Sequence, residues 1–156
     1  MAVFVSTTKA DTAPEIPLPQ LATSRFVELS LAEEKLVNAA ANGTAADCSE
    51  LSGEHRKIRG KLFSWLCTDR GASAQVTYRG ISVVGAEIEG LVDLQWAKLS
   101  SPLLAQRCAF DALIILEGSH LVSLNLAASS IRGMRAENLI IERGVILVTA
   151  SNLREE

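Results

Sequence analysis

Two histidines and three cysteines are the side chains of this 156-residue chain best suited to metal binding or nucleophilic chemistry, and their spacing scatters them. His55 and His120 lie in different segments, and His120 falls at an outward position of a strand-like cassette, where a surface histidine is expected. Cys48, Cys67 and Cys108 show no C-x-x-C spacing. Cys48 and Cys67 can approach each other, but with one histidine nearby they make no zinc set. Cys108 falls among small inward residues, which suits a buried, inert thiol. Asp93 and Arg135 share an outward position two repeats apart, so their backbones stand roughly 9.6 Å apart at about 4.8 Å per strand. That spacing suits a loose ion pair and not two carboxylates sharing acid–base work. Glu87 and Glu89 flank Ile88, one on a face and one at a corner. Arg56, Lys57, Arg59 and Lys61 gather on one side of a predicted helix, where a solvated face is expected. No glycine-rich phosphate loop, nucleophile elbow or metal-binding helix motif is present. The residues predict no catalytic group, no metal and no organic cofactor, hence a chain that is not an enzyme.

What positions these residues is an internal repeat over Val76–Ala150, with a period of 21 or 22 residues recurring about three and a half times. Each period reads as four cassettes of the form apolar-x-apolar, the period of a strand with two inward side chains and one outward. Val76-Thr77-Tyr78 aligns with Ala97-Lys98-Leu99, Ser119-His120-Leu121 and Leu139-Ile140-Ile141. Ile81-Ser82-Val83 aligns with Pro102-Leu103-Leu104, Leu124-Asn125-Leu126 and Val145-Ile146-Leu147. Ala86-Glu87-Ile88 aligns with Cys108-Ala109-Phe110 and Ser129-Ser130-Ile131, then less well with Ala150-Ser151-Asn152. Val92-Asp93-Leu94 aligns with Leu113-Ile114-Ile115 and Met134-Arg135-Ala136. Small residues recur at 86, 108, 129 and 150 and large ones at 88, 110 and 131, so like stacks on like. Glycines at 80, 85, 90, 118, 133 and 144 interrupt any run long enough for a helix, at about 1 kcal/mol each against Ala.

The pattern predicts a mainly β fold, a right-handed quadrilateral parallel β-helix of about 3.5 coils spanning 76–150, with Ile88, Leu94, Leu99, Leu104, Phe110, Ile115, Leu121, Leu126 and Ile131 inside. Residues 1–24 read as a disordered tail, because Pro14, Pro17 and Pro19 sit among polar residues without apolar periodicity. A helical cap is expected over 30–70. Ser30 with Glu33 three residues on forms a capping box for a helix that stops near Asn42-Gly43. A second helix is predicted from about His55 to Cys67, with Ile58, Leu62, Trp65 and Leu66 on one face. Leu62, Trp65 and Leu66 are expected to lie over Val76, Ile81 and Val83, covering the first coil.

The cassettes GAEI, WAKL, GSHL and ASSI, each with a small residue two before a large apolar one, resemble the pentapeptide-repeat family. The run GAEIEGLVDL at 85–94 is similar to the phrasing of a degenerate bacterial branch of that family. IRGKLFSWLCTD at 58–69 resembles the segment that precedes the first coil there. Strict members take Ala, Ser, Cys or Thr at the first inward site, where this chain has Val92, Leu113, Leu124 and Val145. The resemblance implies a right-handed quadrilateral β-helix, end-to-end dimers and, for some relatives, mimicry of duplex DNA that modulates type II topoisomerases.

Composition narrows the choice of function. The net charge of −3 is spread evenly between the two halves, which selects neither for nucleic acid nor for an anionic membrane. No apolar run is long enough to span a membrane, and the odd cysteine count suits reduced thiols in the cytoplasm. The expected role is a non-catalytic interaction or scaffold module whose protein partner the sequence does not name. Leu103, Ile114 and Ile140, read as outward, with Ile146, Leu147 and Leu153, form its expected contact surface, and the C-terminal coil is expected to mediate a homodimer. A topoisomerase modulator is the first alternative. A β-helix enzyme acting on polysaccharide is the second, disfavoured by corners of only two or three residues.

Overall fold

The computed structural model describes residues 16–144. Its second half is a mainly β structure of three parallel sheets, and the chain visits each sheet once per period. Strands β3 (Ile81–Val84), β4 (Glu87–Glu89) and β5 (Val92–Asp93) are followed by β6 (Leu103–Gln106), β7 (Ala109–Phe110) and β8 (Ile114–Ile115). Then come β9 (His120–Asn125), β10 (Ser130–Ile131), β11 (Met134–Arg135) and β12 (Ile140–Gly144). Two earlier strands, β1 (Ala46–Asp47) and β2 (Lys57–Arg59), join from the N-terminal half. The sheet orders are β1-β3-β6-β9-β12, β10-β7-β4-β2 and β11-β8-β5.

The register explains which side chains enter the core. Ile81 pairs with Leu103 and Leu103 with Leu124, while Val83 pairs with Ala105; all five are buried. Ile88 pairs with Phe110 and Phe110 with Ile131, placing three large apolar side chains in one interior column. Cys48, Ala86, Cys108 and Ser129 are all buried, and Ser129 Oγ donates to the Ala105 carbonyl at 2.7 Å while accepting from Cys108 N at 3.1 Å. That buried hydroxyl is fully satisfied, as a polar group in a dry column must be. Ala150, the expected next member, lies outside the described residues, as do Val145 and Leu147.

The predicted inward set holds except at Leu104 and Ile115, which are half-buried on the outward side, and Leu103, Ala105, Ile114 and Leu116 point inward instead. The cause is a corner of variable length. From β3 to β6 the register advances 22 residues (Ile81 to Leu103), but from β6 to β9 it advances 21 (Leu103 to Leu124). The extra residue sits in the corner before Leu103, and a shift of one residue exchanges inward for outward. The same shift moves Leu113 out of the inward site, to which the sequence pattern assigned it, and leaves it exposed. Corners use left-handed backbone, and Gly80 shows why glycine is needed: at φ of 82° a Cβ would meet the Pro102 carbonyl oxygen at 1.9 Å.

Among the described residues, the N-terminal half contains four α-helices: α1 (Leu18–Arg25), α2 (Leu31–Asn42), α3 (Gly60–Thr68) and α4 (Arg70–Ala74). Three sequence expectations are corrected here. Residues 18–24 belong to α1, where Pro17 pre-sets the helix start and Leu18 and Ala22 are buried against α2. The predicted helix from His55 divides into a 3-10 turn (Gly53–Arg56), strand β2 and α3. Ile58 pairs with Ile88 in that strand, so sheet pairing overrides helical spacing. Val76-Thr77-Tyr78 forms no strand, and Tyr78 is 79% exposed. The strand that pairs with the outer edge of β3 is Ala46–Asp47, which falls within the expected helical cap.

The capping box of α2 is present as predicted: Ser30 Oγ accepts from Glu33 N at 3.0 Å, and Ser30 N donates to Glu33 Oε1 at 2.9 Å. Gly43 closes the same helix at φ of 77°. The box does a second job. Ser30 Oγ donates to the Lys57 carbonyl at 2.6 Å, and Arg59 N donates to Glu33 Oε2 at 2.8 Å, which satisfies the outer edge of β2. On another sheet, Asp93 N donates to Ser64 Oγ of α3 at 3.0 Å, closing the outer edge of β5. The N-terminal edges of two sheets are thus hydrogen-bonded to helices, and the third, β1, is only two residues long and packs beside α2.

Leu66 approaches Val76 and Ile81 as expected, lining one small cleft with them. Trp65 instead meets Phe26 edge to face, with ring centroids 5.5 Å apart. The interior of the coils is closed by Phe63, which faces Val92, Leu94, Phe110 and Leu116 across a space of about 10 Å³. Lined by apolar atoms and no larger than one water, that space is a packing gap.

Candidate functional site

The residues best placed by type for chemistry are held apart or already engaged. Cys48, Cys67 and Cys108 are buried free thiols. Burial pushes Cys67 up to about 12 and Cys108 to about 11, the latter despite backbone hydrogen bonds from Ala86 and Gly85 that favour its thiolate. Thiols protonated at neutral pH and shielded from solvent are poor nucleophiles and poor metal ligands. His55 is exposed on the 3-10 turn, whereas His120 Nε2 lies 2.6 Å from Glu142 Oε2 on the neighbouring strand. Asp93 and Arg135 do share an outward column through Ile115. They do not pair: Arg135 Nη2 donates to Glu117 Oε2 at 3.3 Å, and Asp93 Oδ1 accepts from Gln95 N at 3.1 Å. Among the described residues no three His, Cys, Asp or Glu side chains gather closely enough to hold a metal. Nor is any helix among them long and apolar enough to cross a membrane.

The basic cluster is largely structural. Arg56 Nε donates to the Gly85 carbonyl, and Lys57 pairs with Glu54 at 3.2 Å. Arg59 grips Glu33 with two nitrogens, Nε to Oε2 at 2.9 Å and Nη2 to Oε1 at 3.0 Å, and also reaches the Val27 carbonyl at 3.0 Å. Glu33 is 2% exposed. Burial alone would raise its carboxyl, but the hydrogen bonds from the Arg59 side chain and backbone and from Ser30 N outweigh it and hold the group below the usual carboxylate range.

Of the expected contact residues, Leu103 and Ile114 are 3% and 4% exposed and belong to the core, which removes them from any surface. The shifted register described above is the reason. Ile140 is 55% exposed, as predicted. Ile146, Leu147 and Leu153 lie outside the described residues.

The surface that the structure does offer is a groove of about 860 Å³ between the end of α1, α3 and the β4–β5 corner. Phe26, Trp65 and Leu91 supply its apolar lining, with Lys61, Ser64 and Asp93 among its polar groups. The guanidinium of Arg25 lies 5.5 Å from the Phe26 ring centroid and that of Arg59 lies 5.4 Å away, so both stack on one aromatic ring. Gly60 allows α3 to approach this corner, since a Cβ there would stand 2.3 Å from the Leu91 carbonyl oxygen. Leu91 is 45% exposed, and Leu113, one repeat on along the same corner, is 39% exposed. The apolar lining therefore continues beyond the groove. The sequence pattern does not show it, because Leu91 falls between cassettes and Phe26 between the expected tail and the expected cap. No protein-family model, no curated protein and no solved structure matches the chain.

Proposed function

We propose that the chain is a non-catalytic protein-interaction module built on a right-handed parallel β-helix similar to the pentapeptide-repeat family. The observation that carries this reading is the advance of three parallel sheets by one strand per period, with Leu91 and Leu113 left outside beside an aromatic-lined groove. A stacked scaffold of this kind presents a rigid flank to a partner, and its energy goes into the core and the ladder instead of a reaction centre. The contact surface on this reading is Phe26, Leu91 and Leu113, with Ile140 farther along the outer face. Replacing Leu91 and Leu113 together by Arg should abolish capture of the protein retained by the unaltered chain in a cross-linked pull-down. Melting should change little, since both side chains are already exposed. Equal recovery of that protein by both baits would reject this surface.

The same reading includes a homodimer through the C-terminal coil. Met134 pairs with Ile114 and stands in the inward column of Val92, yet it is 36% exposed where those two are buried. A two-fold contact lets one such patch serve both copies. Light scattering should give a dimer mass for the chain and a monomer mass for Met134→Lys. A monomer from the unaltered chain would refute the contact.

A further inference from the structure

One aromatic side chain is explained neither by burial nor by backbone preference. Trp96 is 72% exposed and sits at φ of 62°, in the left-handed region that costs an L-residue about 1–2 kcal/mol. The same corner in the next two repeats holds Gly118 at 67° and Asn138 at 60°, residue types that tolerate it. The three corners are stacked: Trp96 N donates to the Glu117 carbonyl and Gly118 N to the Glu137 carbonyl, each at 2.8 Å. The indole lies against Gly118, where a Cβ would fall 2.1 Å from its Cε3. The ring is therefore seated on the next corner with most of its surface in solvent.

A row of fixed polar groups runs one position before the corner. Gln95 Nε2 donates to Glu117 Oε1 at 2.9 Å and Arg135 Nη2 to Glu117 Oε2 at 3.3 Å, so the carboxylate is held from both sides. Guanidinium and amide groups carry more donors and acceptors than these bonds consume. An exposed aromatic plane offers a flat apolar face, and the polar groups beside it are oriented to hydrogen-bond what stacks there.

We propose that Trp96, with Gln95, Glu117 and Arg135, is a binding platform for a neutral saccharide. The C–H face of a sugar ring stacks on an indole, and its hydroxyls both donate to a carboxylate and accept from a guanidinium. A nucleobase would also stack, but Glu117, Glu137 and Asp93 near this corner and the net charge of −3 oppose a phosphate backbone. A protein partner would need about 800 Å² of matching surface, whereas the exposed residues flanking Trp96 along the chain are Gln95 and Lys98, and the stacked corners add Glu117, Gly118 and Asn138. The proposal rests on this corner alone and is independent of the groove and the dimer.

The chain has two tryptophans, Trp65 and Trp96, so an emission change that Trp96→Ala removes reports on Trp96. Titration of the full chain with the neutral hexasaccharides of glucose, mannose and N-acetylglucosamine should give a saturable blue shift with at least one of them. Trp96→Ala should abolish binding of that sugar measured by calorimetry while keeping the melting transition. Glu117→Ala should weaken it about tenfold, the effect of losing one charged hydrogen-bond partner. Gly118→Ala, which displaces the ring, should weaken it as well. Absence of saturable binding by any of the three sugars, undiminished affinity in Trp96→Ala, or preferential binding of a single-stranded oligonucleotide would each overturn the proposal.

Discussion

Phe110→Asp is expected to leave no cooperative unfolding transition in a thermal melt followed by circular dichroism. Phe110 is 5% exposed, flanked in its column by Ile88 and Ile131, and borders the space that Phe63 closes. Removing the ring alone costs about 3–5 kcal/mol, and an unpaired carboxylate in its place costs several more. The sum approaches the whole stability of a typical domain, roughly 5–15 kcal/mol. Ala109 precedes it on the outward side of the same strand. Ala109→Lys should therefore move stability by less than about 0.5 kcal/mol. A soluble Phe110→Asp protein with an unchanged transition would show that the interior column is wrongly assigned.

The second large effect is expected at Glu33, whose carboxylate serves the α2 cap, the edge of β2 and the Arg59 guanidinium together. Glu33→Ala removes every one of those acceptors and should cost about 3 kcal/mol in urea unfolding. That is the lower end for breaking a buried pair, because the Arg59 side chain is 37% exposed and partly screened. The pH dependence follows from the direction of the shift. The folded group titrates below its ordinary value of 4.5, so its stabilisation is present above that value and is lost as pH falls through the folded pKa. Stability of the unaltered chain and of Glu33→Gln should accordingly converge as pH falls from 4.5 through the folded pKa. Equal acid sensitivity of the unaltered chain and of Glu33→Gln across the whole acid unfolding range would mean that ionisation of Glu33 contributes nothing.

The parts of the fold legible in the sequence are those fixed by local spacing or local capping. Ser30, Glu33 and Gly43 mark α2 at both ends because each acts within one helical turn of its partner. The column Ile88, Phe110, Ile131 is legible because a small buried residue, at 86, 108 and 129, stands two before each member and marks its place. Leu103 and Ile114 were not, since all three strands of that coil advance 22 residues (81 to 103, 88 to 110, 92 to 114), while the apolar runs at 102–104 and 113–115 fit an advance of 21 as well. Ile58 was also hidden: its spacing suits a helix, and only the approach of β4, 30 residues away in sequence (Ile58 to Ile88), draws it into a strand. The groove was the least legible feature. It joins residue 26 to residue 91 through α3, and no periodicity carries that information.

The closed outer edges of β2 and β5 bear on how copies of this molecule can assemble. Growth of a head-to-tail filament requires that each copy accept a neighbour at both ends, with strand edge meeting strand edge. Ser30, Glu33 and Ser64 already occupy the donors and acceptors that a neighbour would use at one end. A neighbour's strand cannot add to β2 or β5 there without displacing these contacts. The helices thus shield two of the three sheet edges at this end from strand addition, and Ser30→Ala with Ser64→Ala is the change expected to expose them.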